Sequence, residues 1–212
     1  MTTGVYYVPI GCDCAVAYNL DRLNIRSCAF PFDWLRMSPT TIIKLIDNHF
    51  EDFLNEKYLV EVSSHIASTI PSTTPIISPT IPSIGSKFPL IDEVWNDNII
   101  DHAIVENTKY KFKFYHDFLT YDSDQLKYVK EKYDRRIKRF YDILYDEHVR
   151  KIFIRVDKKY HSSLSYFEKF PNSEVTFINS SGGGSSFGSN NSNGGNVCTS
   201  WKKEELDWSI LQ

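Results

Sequence analysis

The stretch that decides the fold is VYYVPIGCDCAVAYNLDRLN, residues 5–24. Its first half is β-branched and aromatic and stops at Gly11, which predicts a strand ending in a tight turn. Its second half changes period, with Val16, Leu20 and Leu23 at helical steps. Asp13 stands where a helix N-cap would, and this places Cys14 in the first helical turn. A strand that passes through a glycine turn straight into a helix is the opening unit of a layered α/β protein.

The same alternation continues downstream. IRSCAFPFDWL, residues 25–35, reads as a short extended piece running into a loop. Ser38 followed by Pro39 is a helix start, and Ile42, Ile43, Leu45 and Ile46 give that helix an apolar face. YKFKFYHDF, residues 110–118, has period two, with Tyr110, Phe112, Phe114 and His116 on one side. Residues 122–147 form a long helix, with Leu126, Val129, Tyr133, Ile137, Phe140 and Leu144 at three- and four-residue steps. KIFIRV, 151–156, and EVTFIN, 174–179, are buried-strand patterns separated by a helix or turn. A short helix is expected over 201–212.

These elements predict one layered α/β domain over residues 1–212, with a mainly parallel or mixed sheet flanked by helices. Two low-complexity insertions interrupt it. Residues 67–86 are rich in Pro, Ser and Thr and read as flexible. Residues 180–196 are Gly, Ser and Asn, too polar to bury enough surface to order themselves.

Composition excludes several classes. The 212 residues are 42% hydrophobic and 24% charged, which are globular values. Thirteen Tyr and 14 Phe supply a large aromatic core. A net charge of −3 leaves no basic footprint for nucleic acid. The amino-terminal residues show no leader pattern and no apolar run is long enough to span a bilayer, so the expectation is a cytoplasmic protein that binds neither membrane nor nucleic acid. In that compartment cysteines are thiols rather than disulfides.

The chemistry concentrates near the amino terminus, where Cys12, Cys14 and Cys28 lie within seventeen positions. A thiol in the first turn of a helix sits at the positive end of the macrodipole, which favours the nucleophilic thiolate. Cysteine is also a common core filler, and Cys12 and Cys28 read most simply that way. With Cys198 the set counts four sulfurs, but the spacing lacks the paired two-residue gaps of zinc sites, so neither a metal nor any cofactor is expected. His116 is the histidine with the best rationale as a distant base. His49, His65, His102, His148 and His161 offer none better. Asp33, within the phrase Pro31-Phe32-Asp33-Trp34, reads either as a loop or helix cap or as the group orienting an imidazole. Asp157 and Asn179, at strand ends, are further candidates for that third role. Arg135 and Arg136 form either a solvated helix face or an anion clamp.

The segments GCDCAVAYNLDRLNIRSCAFPFDWL, FYHDF, DRRIKRFYDIL and KIFIRV together resemble a family of uncharacterised proteins regarded as papain-like cysteine peptidases, a domain of unknown function. Gly11, Cys14, Ala17, Arg26 and Pro31–Trp34 match its opening motif. His116 and Arg135–Arg136 match its later segments. The resemblance implies a cysteine-nucleophile hydrolase with Cys14 as nucleophile and His116 as base, in the Cys-before-His order of papain-like enzymes. The chain departs from papain signatures in having no Gln upstream of Cys14 to complete an oxyanion hole. A strand leading directly into the cysteine turn is also closer to a doubly wound sheet than to a papain fold.

Three functions follow as expectations. The first is a thiol hydrolase, either peptidase or acyl transferase. It acts on an unidentified peptide or small molecule, with Cys14, His116 and either Asp33 or Asp157 as machinery, and with Phe32, Trp34, Arg135 and Arg136 against the substrate. The second is a non-catalytic ligand- or protein-binding domain. The third is a transferase acting on a sugar or other anionic substrate.

Overall fold

β1, Val5–Pro9, leads through Gly11 toward α1, Ala15–Arg22, as the period change requires. The computed structural model describes residues 4–11, 14–62, 103–180 and 206–211. The insertion expected at 67–86 lies outside these residues, as does the second tract from residue 181 onward. Asp13 also lies outside them, and Cys14 itself takes the N-cap position of α1 with helical backbone angles.

The remaining elements are α2 (Pro39–Asp47), β2 (Leu59–Glu61), β3 (Ala103–Asn107), β4 (Phe112–Phe118), α3 (Ser123–Leu144), β5 (Arg150–Asp157) and β6 (Ser173–Asn179). They form a mixed α/β architecture with two three-stranded sheets. One is parallel, in the order β1-β5-β6, and the other is antiparallel, in the order β2-β3-β4. Among the described residues no helix is long and apolar enough to cross a membrane.

The central strand β5 shows why its sequence reads as continuously buried. Ile152, Ile154 and Val156 pack with Val16 and Leu20 of α1, and with Trp208 and Leu211. Phe153 faces the other way, joining Val8, Ile10, Leu164, Phe167 and Phe170 in the larger core. A strand covered on both faces carries apolar residues at odd and even positions alike. The larger core also takes in α2, α3 and the antiparallel sheet. Phe53 holds it together, stacked on Phe112 at 5.3 Å and edge-on to Tyr133 at 5.0 Å.

Caps and turns set the boundaries. Ser38 Oγ accepts from Thr41 N at 3.1 Å and Pro39 occupies the first turn, so α2 begins where its sequence says. Asp122 caps α3 by accepting from the amides of Asp124 and Gln125. Two expectations need correction. Residues 25–35 form no strand, and the loop they run into closes as a turn at 31–34, where Asp33 accepts from the Phe30 amide at 2.9 Å. Tyr110 is not part of the strand. Its amide donates to Asn107 Oδ1, and Lys111 adopts a φ of 58°, making the hairpin turn from which β4 starts at Phe112.

The antiparallel sheet is irregular where it matters. Ala103 pairs with Phe118 and Val105 with Phe114, so two steps along β3 span four along β4. The extra residues surround His116 and form a bulge, a device that re-aims side chains.

Candidate active site

The carboxyl edge of the parallel sheet is where a ligand crevice is expected in an open α/β sheet. β1 and β5 are adjacent there, with Pro9 paired to Ile154 and the Ile10 amide donating to the Ile154 carbonyl. Gly11 turns the chain with a φ of 47°, and an added Cβ would lie 2.9 Å from Ile42 Cδ1. Its carbonyl accepts from the Met37 amide at 2.9 Å. Cys14 follows at the start of α1, half-buried, and its side chain does not cap the helix.

Arg155 ties this edge together. Its Nη1 donates to the carbonyls of Ile10, Gly11 and Met37 at 2.8, 2.8 and 2.9 Å. Its Nη2 donates to Asp157 Oδ2 at 2.8 Å. Burial alone would raise the Asp157 carboxyl, but the Arg155 guanidinium and the Lys158 amide hold it below the usual range. Asp157 Oδ2 also lies 3.6 Å from His161 Nε2, a contact longer than a hydrogen bond. Arg36, Met37, Ser38, Pro39, Arg155, Asp157 and His161 line an open cleft of about 400 Å³ at this edge. Asn179, the register partner of Asp157 on β6, stands at the same edge.

A second set of charges lies inside the molecule. Asp33 is fully buried and pairs with Arg26 at 2.6 Å. Burial would lower the Arg26 guanidinium, but Asp33 and Asp21 more than offset it and raise it. Asp33 Oδ1 is buried without a hydrogen-bond partner. Nearby, Asp117 pairs with Lys132 at 2.8 Å and accepts from Tyr133 Oη at 3.1 Å. Burial first, and then Asp117, push the Tyr133 phenol well up.

The sequence-nominated residues divide between these regions. Cys14 and Asp157 are on the strand–helix side, at the sheet edge. His116 is half-buried in the β4 bulge, beside Asp117. Asp33 takes the turn-cap role and serves an ion pair. Phe32 does not wall a substrate site: it is fully buried, stacked on Phe50 at 5.5 Å and edge-on to Phe140 at 5.6 Å. Trp34 is half-buried under the Arg26 guanidinium, 5.8 Å away. Arg135 and Arg136 do not form one clamp face. Consecutive helical residues are about 100° apart, and here Arg135 is exposed while Arg136 is buried. Cys28 is half-buried; burial pushes its thiol up, only partly offset by Ser27.

Of two residues at the edge, the sequence reading missed Arg155 and passed over His161 in favour of His116. Arg155 sits inside an apolar strand pattern, and a charged residue at such a position signals a buried partner. His161 follows Asp157 at a four-residue step, a spacing that is unremarkable until β5 is placed beside β1.

Fold and site together define an α/β protein that carries a cysteine at the junction of its first strand and helix. The chain belongs to the family described as "Putative papain-like cysteine peptidase (DUF1796)", whose model matches residues 5–166. That span includes Cys14, His116, Asp157 and His161. An uncharacterized protein of Acanthamoeba polyphaga mimivirus is 27% identical over 167 residues, covering 75% of this chain. The chain spans 65% of that relative's length. No solved structure matches.

Proposed function

We propose that the chain is a thiol hydrolase, acting as a peptidase or an acyl transferase, with Cys14 as its nucleophile. The observation that carries this reading is the place of Cys14, at the N-cap of α1 and on the carboxyl edge of the parallel sheet. A thiolate formed there faces the positive end of the helix macrodipole. Membership of a family described as cysteine peptidases supports the same chemistry.

The nucleophile needs an imidazole to take its proton. His116 and His161 both follow Cys14 in the chain, and each stands near an aspartate, Asp117 or Asp157. The substrate is a peptide or a small acyl compound. A non-catalytic binding domain and a sugar or anion transferase are the competing readings. The separation of Arg135 from Arg136 weakens the transferase.

Alkylation of the folded protein with iodoacetamide at neutral pH, mapped by mass spectrometry, tests the proposal. Cys14 is expected to react at least about tenfold faster than Cys28 and than glutathione, as a thiolate-rich cysteine does. A Cys14 rate no faster than glutathione would exclude the hydrolase and leave the binding domain.

A further inference from the structure

We infer that His161, held by Asp157, is the base that activates Cys14; this rests on the reading of Cys14 as the nucleophile. Three observations place the pair at the sheet edge from which the chain runs to Cys14. First, β5 lies next to β1 in parallel register, so Asp157 and the Gly11 turn leave the sheet at the same edge. Second, one guanidinium spans both: Arg155 donates to the Gly11 carbonyl and to Asp157, each at 2.8 Å. Cys14 follows Gly11 by three residues, at most about 10 Å of chain. Third, Asp157 Oδ2 is 3.6 Å from His161 Nε2, and the imidazole is open to the cleft with 46% of its side chain exposed.

The arrangement has the order of parts a nucleophile–base–carboxylate site requires. Arg155 is fixed by three carbonyls, so it fixes Asp157 in turn. Nε2 is the ring nitrogen nearer Asp157, at 3.6 Å, which leaves Nδ1 of His161 for the thiol. Among the described residues, the charged groups that line the cleft with the imidazole are Asp157 and Arg155 from β5 and Arg36 from the segment before α2. His116 stands on the other sheet, and its neighbour Asp117 turns inward to Lys132 and Tyr133.

The reaction balances with water as co-substrate. Nδ1 of His161 takes the Cys14 proton, and the thiolate forms a C–S bond to the acyl carbon as the carbonyl electron pair moves to oxygen. The carbonyl re-forms, the bond to the leaving amine or alcohol breaks, and the imidazolium proton goes to that group. Water then attacks the thioester while His161 takes its proton, and Cys14 leaves as the thiol after recovering a proton from the imidazolium. The Asp157–His161 contact tightens when substrate fills the cleft, as long resting contacts in such sites do.

The test measures Cys14 alkylation by iodoacetamide from pH 5 to pH 9 in the full chain. The variants are His161→Ala, His161→Gln, Asp157→Asn and His116→Ala, with His148→Ala, exposed before the start of β5, as control. Both His161 variants are expected to lose about tenfold or more at pH 7 and to move the rate profile to higher pH. Asp157→Asn gives an intermediate loss and His148→Ala none. Circular dichroism confirms that each variant is folded, and Gln at 161 serves if Ala there is not. Unchanged rates in both His161 variants, with the loss falling on His116→Ala, overturn the base assignment and leave the hydrolase standing. A wild-type Cys14 no faster than glutathione removes both.

Discussion

Asp33 and Asp157 both pair with an arginine, and the two pairs have opposite uses. The Asp33–Arg26 pair is sealed, with side-chain exposures of 0% and 4%. In the Asp157–Arg155 pair the arginine is equally buried, at 5%, but the carboxylate is 26% exposed and faces a cleft. A sealed pair offsets part of its desolvation cost through its partner and offers no open face to a ligand. An edge pair keeps one oxygen within reach of an imidazole. The same residue types thus hold a turn in one region and line a cleft in the other, and exposure makes the difference.

The largest expected effect breaks the sealed pair. Asp33→Ala leaves the Arg26 charge without its buried partner, and urea denaturation is expected to show a loss of about 3–5 kcal/mol. A loss below about 1 kcal/mol would mean that the interior pair is no more structural than the edge pair. Next comes the turn that carries Cys14. Gly11→Ala places a Cβ at positive φ and against Ile42, with an expected cost of about 1–2 kcal/mol in the same assay. It also slows Cys14 alkylation, because the turn positions both the thiol and the carbonyl that Arg155 holds.

Ser38→Ala removes the cap of α2 at the rim of the cleft, costing about 1 kcal/mol by thermal or urea melts. Thr or Asp at this position is expected to restore most of the loss, since either can accept from the same amide. The smallest effect is the pH dependence of the edge pair. The folded-state Asp157 carboxyl lies below its unfolded value of about 3.9. Its contribution is therefore complete above that value and is lost as pH falls through the folded one. Comparing urea midpoints at pH 7 and pH 3, wild type is expected to lose slightly more than Asp157→Asn, by less than about 1 kcal/mol. An equal loss would show that Arg155 is anchored by its three carbonyls alone.

Much of the fold was legible because short-range rules govern it. The period change around Gly11, the Ser38-Pro39 start and the stripe from Leu126 to Leu144 are local signals, and the structure realises each of them. The stretch before the turn at 31–34 reads as extended because its apolar residues mimic a strand, while Asp33 draws the Phe30 amide into the turn instead of a ladder. Phe32 was misassigned for a related reason: an aromatic beside a polar residue reads as a site wall, but ring packing with Phe50 and Phe140 put it in the core.

The sequence by itself determined the alternation of strands and helices, the thiol at the first strand–helix junction and the family to which the motif belongs, since all of these reside in neighbouring residues. Only the tertiary structure decided which charges are interior and which are available. Strand pairing between residues more than a hundred positions apart laid β5 against β1 and brought Arg155, Asp157 and His161 to the edge beside Gly11. No local pattern encodes that register, because it follows from burying both faces of β5 at once.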